Sequence, residues 1–169
     1  TISGKEMGGW IQYSMSPTTA AWLAQHFYWQ AMYSKNRTDY EQALSWLNGV
    51  ELFIYSYLEK EELDPGFIAL SSSPEYHDNS VKAWFRYASN YDKALIKFIR
   101  LAKQQLIREF NKFFPPVILS EDDYIEKLGA FDSNETGLTV APGQDLDHSH
   151  RHLSPYMAIY PLCLLDVDK

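Results

Sequence analysis

Cysteine and cationic side chains are both scarce in this chain of 169 residues. Cys163 stands alone, so no disulfide can form within the chain. Lys and Arg together number 15 against 22 Asp and Glu, and the formal charge of −7 disfavours a nucleic-acid backbone, which requires clustered cations. No apolar run approaches the roughly 20 residues that a membrane-spanning helix needs. We therefore expect neither a nucleic acid nor a membrane as a partner.

Aromatic side chains are abundant by contrast, with 5 Trp, 12 Tyr and 9 Phe. The length suits one domain, and an apolar fraction of 46% is ordinary for a packed globule. On an acidic domain, this aromatic excess points to stacking on sugars or to a protein partner. A thick core between helices explains it equally well. The start on Thr1 suggests a processed chain or an excerpt, and residues 1–6 do not have the pattern of a signal peptide.

Apolar residues recur at steps of three and four, which predicts helices and an all-α fold class. The capping box of Thr38 and Glu41 marks the start of the second helix, and the first two helices are expected to form an antiparallel hairpin. Residues 130–150 have no period and are predicted to form a long loop, while Pro161 should kink or end the last helix. The helices are predicted over about 17–33, 38–63, 81–110, 120–128 and 154–165.

Glu75 is the first candidate for chemistry. Pro74 fixes its own φ and keeps Ser73 out of the helical region, so Glu75 is held on a stiff stretch of chain. A rigidly held Glu at the end of a helical hairpin is suited to act as a general acid. The alternative is an acidic residue that stabilises the N-terminus of the following helix.

The second candidate is the segment Asp145–His152, in which histidines alternate at positions 148, 150 and 152. In an extended chain these histidines share one side, with Arg151 facing the other way. Together with the nearby Asp residues they have the donor types of a zinc site, but no further ligand stands at metal spacing. The alternatives are a cluster that grips sugar hydroxyls and positions a carboxylate, and a purely structural cluster.

The third candidate is aromatic. Trp22, His26 and Trp29 are separated by four and three residues and so share one face of the first helix. This spacing is more typical of a core than of a binding platform. Trp10, in a loop after Gly8 and Gly9, is predicted to be the better residue for stacking on a ligand.

Three segments in order, Met7–Tyr28, Ser72–Glu75 and His150–Ser154, resemble motifs of glycoside hydrolase family 95. The resemblance covers nearly the whole chain. That family comprises inverting α-L-fucosidases, with some α-L-galactosidases, on an (α/α)6 toroid. The resemblance therefore implies a carbohydrate substrate, no cofactor and no metal, and it is compatible with a secreted or periplasmic compartment.

Residue by residue, the resemblance implies that Glu75 is the general acid and that Asp147 or Asp145 is the base. The base assignment is open because Gly143–Asp147 replaces the family's Gln-Glu-Trp stretch. The family's Ser-His after His-Arg-His reads Ser154-Pro155 here, which suggests a divergent branch. The residues predicted to contact substrate are Trp10, His26, His150, Arg151 and His152.

A toroid of twelve helices needs roughly 190 residues even with short connections. We therefore expect residues 1–169 to be a segment of a single helical catalytic domain. Apolar faces meant for the missing helices would be covered by those helices or by a second copy of the chain. The alternative interpretation is a non-catalytic helical fragment that binds glycans or serves a structural role.

Overall fold

The computed structural model describes residues 16–60, 67–71, 73, 75, 85–117, 126–147 and 149–166. This part of the chain is mostly helical, as the sequence predicts, with two short antiparallel strand pairs between the helices. The α-helices are α1 (Thr19–Ser34), α2 (Arg37–Lys60) and α3 (Asn90–Phe110). The strands are β1 (Phe67–Ser71), β2 (Phe85–Tyr87), β3 (Ser133–Asn134) and β4 (Gly137–Leu138), and 3-10 helices cover Glu126–Leu128 and Ser154–Ala158. No helix within these ranges is long and apolar enough to cross a membrane.

Helices α1 and α2 form the predicted hairpin. Lys35 ends α1 in the left-handed conformation with φ 53°, and its N–H donates to the Ala31 carbonyl. The cap of α2 is Asn36 rather than Thr38, because the Asn36 side chain accepts a hydrogen bond from the Asp39 N–H at 2.9 Å. The predicted capping box was therefore placed two residues too late.

Helix α3 begins at Asn90, later than the predicted start near residue 81. Aromatic residues favour strands as well as apolar helix faces, and Phe85–Tyr87 pairs with β1 instead of continuing the helix. Ser89 then caps α3 by accepting a hydrogen bond from the Asp92 N–H at 3.2 Å.

The core lies where α1, α2 and α3 meet. Buried alanines on α1 allow close approach of the larger side chains Leu47 on α2 and Leu95 and Ile99 on α3. Helices α1 and α3 run in the same direction. Thr18 at the start of α1 donates to the Asp92 carboxylate at 2.5 Å, and further along Tyr28 donates to Gln105 at 2.8 Å. The N-termini of α1 and α3 therefore lie at the same end of the molecule.

Residues 130–150 are not the structureless loop that the sequence predicts. They contain the β3–β4 hairpin, and Asn90 ties this hairpin to the start of α3. The Asn90 N–H donates to the Val140 carbonyl at 2.9 Å, and its side-chain amide donates to the carbonyls of Asp132 and Thr139 at 2.8 and 2.7 Å. The segment is thus held by backbone and side-chain hydrogen bonds of Asn90, which hydrophobic periodicity does not show.

The predicted last helix is also shorter than expected. Only Ser154–Ala158 is helical, as a 3-10 helix, and the chain continues in turns through Pro161. Of the predicted short helix over 120–128, residues 126–128 form a 3-10 turn, and residues 120–125 lie outside the described residues.

Candidate active site

The Glu75 carboxylate is buried, with 4% of the residue exposed, and three donors reach it. The Ser154 N–H donates to Oε1 at 2.6 Å, and the Ser154 hydroxyl donates to Oε2 at 2.7 Å. The Ser73 hydroxyl also donates to Oε2. These hydrogen bonds compensate the loss of water around the carboxylate. Two of the segments singled out from the sequence thus meet at this side chain.

The local backbone explains why the Ser154 N–H is available. Ser154 is the first residue of its 3-10 helix, where N–H groups have no partner within the helix. Pro155 follows it at a position where a missing N–H costs nothing. The hydroxyls of Ser73 and Ser154 are 3.2 Å apart, so both serines and the carboxylate form one buried network.

Ser154 also lines a cleft of about 810 Å³ that runs beside α1. Its polar lining comes from His26 on α1 and from Arg151 and His152 in the segment before the last 3-10 helix. Its aromatic lining comes from Trp22, Trp29, Tyr91 and Tyr160. The Ser154 side chain therefore separates the Glu75 carboxylate from a cleft that is lined by polar and aromatic groups.

The structure brings together three of the residues that the sequence analysis predicts to contact substrate, namely His26, Arg151 and His152. His150 lies next to His152, with ring centroids 5.1 Å apart, and its Nδ1 accepts a hydrogen bond from the His152 N–H at 3.0 Å. His150 thus stabilises the backbone at His152. Trp10 and His148 lie outside the described residues.

The two candidate bases are exposed and lie outside the cleft lining. Both oxygens of Asp145 accept hydrogen bonds from the Asn134 amide at 2.8 Å, which attaches this carboxylate to the β3–β4 hairpin. Asp147 is two residues closer in sequence to Arg151. The geometry therefore does not select a base.

Trp22 and Trp29 contribute to the cleft, although their helical spacing favoured a core. Both are partly buried, and the same apolar period describes a core face and a cleft wall. Tyr91 falls well inside the helix that the sequence predicts over 81–110. Recognition of Ser89 as an N-cap would have placed Tyr91 in the first turn of α3, at the same end as Thr18.

Tyr91 lines the cleft, and the carboxylate of the next residue, Asp92, is buried in the first turn of α3. Burial raises the pKa of Tyr91 to about 12, and the negative charges of Asp92 and Glu75 add to this effect. Asp92 itself is fully buried and accepts the hydrogen bond from Thr18. Tyr91 is therefore un-ionised at neutral pH and can donate a hydrogen bond.

Within the described ranges, no group of three or more His, Cys, Asp and Glu side chains lies close enough to hold a metal ion.

Comparison with known proteins gives one finding. The family model described as the glycosyl hydrolase family 95 catalytic domain matches residues 2–169. No curated protein and no solved structure matches the sequence.

Proposed function

The chain belongs to glycosyl hydrolase family 95, and from this premise we propose that it removes terminal α-L-fucose, or α-L-galactose, from glycans with inversion. The observation that supports this proposal most is the position of Glu75. Its carboxyl group lies buried where the Ser73–Glu75 and His150–Ser154 segments meet, directly behind a cleft large enough for a sugar.

In the proposed reaction Glu75 is the general acid. Hydroxyl groups both donate and accept hydrogen bonds, so Ser73 and Ser154 can hold the carboxyl in its protonated and its ionised state. Ser154 contacts Glu75 and lines the cleft, and we propose that it passes the proton on. The Ser154 hydroxyl gives its proton to the glycosidic oxygen while it takes the proton of Glu75. The bond from the anomeric carbon to that oxygen breaks, and Glu75 is left as a carboxylate.

The base is proposed to be Asp147, with Asp145 as the alternative. It removes a proton from the water whose oxygen bonds to the anomeric carbon from the opposite face. Inverting enzymes hold their two carboxyl groups roughly 6.5–9.5 Å apart to leave room for that water. The Asn134 amide holds both oxygens of Asp145 against the β3–β4 hairpin.

Sugar hydroxyls are proposed to bind to Arg151, His152 and His26, which line the cleft. The Arg151 guanidinium offers several fixed donors, and each histidine offers a donor and an acceptor. His150 is proposed to orient the segment through its bond to the His152 N–H. Trp10 remains a proposed entrance residue.

The test is hydrolysis of aryl α-L-fucoside and aryl α-L-galactoside by Glu75→Gln. Loss of a general acid lowers kcat by about 10²–10⁴-fold, and the anomer released by the native enzyme, measured by NMR, reports inversion. Glu41→Gln is the matched control, because Glu41 is an exposed carboxylate on α2. Retained activity in Glu75→Gln would remove this residue from the mechanism.

One observation favours the second candidate, a glycan-binding module without catalysis: both candidate bases lie outside the cleft lining. A glycan-binding screen run beside the hydrolysis assay separates the two functions. Binding without turnover would support the module.

A further inference from the structure

We propose that a second pocket, between α3 and the β3–β4 hairpin, binds a small carboxylate with an alkyl chain, of the fatty-acid type. This pocket shares no lining residue with the cleft beside α1. The inference therefore stands apart from the proposed hydrolysis of glycosides.

The pocket has the size and the lining of a small-molecule site. Its volume is about 600 Å³, and sites for small ligands commonly have roughly 300–1,000 Å³. Most of its apolar lining comes from four leucines on α3, on β4 and after Pro161, namely Leu101, Leu138, Leu164 and Leu165. Among the described residues that line it, only Lys97 on α3 is charged.

The walls of this pocket are fixed without a ligand. The N–H groups of Leu164 and Leu165 both donate to the Ala158 carbonyl, at 2.7 and 2.9 Å. The hydrogen bonds of Asn90 hold the hairpin that carries Leu138 against the start of α3. A ligand that enters such a pocket does not have to order its walls, so less of the interaction free energy is lost on binding.

The Lys97 ammonium is held in the lining by two contacts. It donates a hydrogen bond to the Gly129 carbonyl at 2.6 Å, and it lies 4.7 Å from the centroid of the Phe131 ring. Both contacts are to uncharged groups. Because an ammonium group has three N–H donors, one donor remains for a ligand.

No carboxylate compensates the charge of Lys97 within the described part of the chain. The carboxylate of Asp132 binds the Lys93 ammonium at 2.8 Å, and no described residue forms an ion pair with Lys97. Burial lowers the pKa of Lys97, and the positive charge of Lys93 lowers it further. A ligand with one negative charge would therefore complement this position.

The ammonium and the leucines together define the class of ligand. A carboxylate can accept the free N–H of Lys97, while a saturated chain removes its own apolar surface and that of the leucines from water. A sugar is excluded at this position, because its hydroxyl groups would lack partners against the leucine side chains.

The experiment is isothermal titration calorimetry of the chain with butanoate, hexanoate and octanoate at pH 7. We expect a single site whose affinity rises roughly tenfold for each two methylene groups, because the buried alkyl surface grows. Octanol has the same chain without a charge, and octylamine has the opposite charge. Both should bind at least about tenfold more weakly than octanoate.

Two variants test the residues that carry the proposal. Lys97→Met removes the charge and keeps an unbranched apolar chain, so it should weaken octanoate binding by about tenfold and leave octanol binding unchanged. Leu101→Glu adds a negative charge at a side chain that is 44% exposed, and it should also weaken octanoate binding. Lys112→Met is the matched control, because Lys112 is an exposed lysine outside the pocket.

Equal affinity for octanoate and octanol would overturn the proposal, and so would an affinity that does not depend on chain length. Native octanoate affinity in Lys97→Met would remove the ammonium from the site. Absence of saturable binding would show that the pocket is not a ligand site. None of these outcomes bears on the hydrolysis of fucosides, which is measured separately.

Discussion

Ser73 and Ser154 both donate to Glu75, but only Ser154 also lines the cleft. Ser73 can therefore only stabilise the carboxylate, whereas Ser154 can also transfer its proton into the cleft. Each serine hydroxyl donates one hydrogen bond to the Glu75 carboxylate. Removal of the Ser154 hydroxyl leaves the hydrogen bond from the Ser154 N–H in place. The two serines therefore form a natural pair of variants.

We expect Ser73→Ala and Ser154→Ala to lower the free energy of unfolding by similar amounts, about 1–3 kcal/mol each. Only Ser154→Ala should lower kcat strongly, because it removes the proposed path of the proton. Urea unfolding and fucoside hydrolysis measure the two effects. An equal loss of kcat in both variants would argue against transfer through Ser154.

The phenol of Tyr91 gives the fold a sensitivity to alkaline pH. Its pKa is about 12 in the folded protein against 10.0 ordinarily, because burial disfavours the phenolate. The unfolded chain therefore loses this proton first, and stability falls as the pH rises from about 10 to about 12.

Tyr91→Phe should show a smaller loss of stability over this pH range than native protein, measured by urea unfolding at pH 9 and pH 11. Tyr28 and Tyr40, whose pKa values burial also raises, contribute equally to both proteins. Identical pH dependence in the two proteins would show that Tyr91 is not protected from ionisation.

At the scale of elements, a buried ion cluster joins α2 to α3. Glu51 on α2 contacts the Arg100 guanidinium at 3.2 Å and the Lys103 ammonium, and both cations are nearly inaccessible. Removal of one partner from a buried pair leaves charge without compensation.

Glu51→Gln should lower the free energy of unfolding by about 3–5 kcal/mol. Glu41→Gln, which breaks the exposed pair with Arg37, should change it by about 0–1 kcal/mol. Guanidinium denaturation measures both. A small effect at Glu51 would mean that the helices are held together by their apolar contacts alone.

The helices that the sequence predicted well are those with clear ends. Helices α1 and α2 lie within a few residues of prediction, because the change from apolar periodicity to the polar turn around Lys35 is a local signal. The start of α3 was wrong because Phe85 and Tyr87 fit a strand and a helix equally, and pairing with β1 decides between them.

The candidate site could be predicted where it depends on motifs along the chain, but not where it depends on which elements pack against each other. Glu75 and the His150–Ser154 segment were singled out from sequence, and they meet. Ser154 as the partner of Glu75 and Trp29 as a cleft wall were missed, because both roles depend on which element packs across the gap. The chemical roles of Glu75, Asp145, Asp147 and the residues that line the cleft remain predictions.

At the scale of the whole molecule, apolar side chains remain exposed on the hairpin of α1 and α2. They include Leu23, Trp46, Leu52 and Phe53, and Leu52 is 68% exposed. The expectation that residues 1–169 are a segment of one larger helical domain stays a prediction. In such a domain, this apolar surface would be covered by the remaining helices.

The chain on its own should therefore associate with itself as its concentration rises, which analytical ultracentrifugation measures. Leu52→Glu should weaken the association, whereas Leu101→Glu, an exposed leucine on α3, should have less effect. A chain that stays monomeric at high concentration would contradict this expectation.

The bonds of Asn90 have a mechanical consequence. One residue at the start of α3 fastens the carbonyls of Asp132, Thr139 and Val140, so the hairpin cannot detach without disturbing that helix end. Amide protons of Asn90, Asp132 and Val140 should then exchange with solvent deuterium as a single cooperative unit. The rate at which this unit opens would then set how often the start of α3, which carries Tyr91 and Asp92, changes conformation.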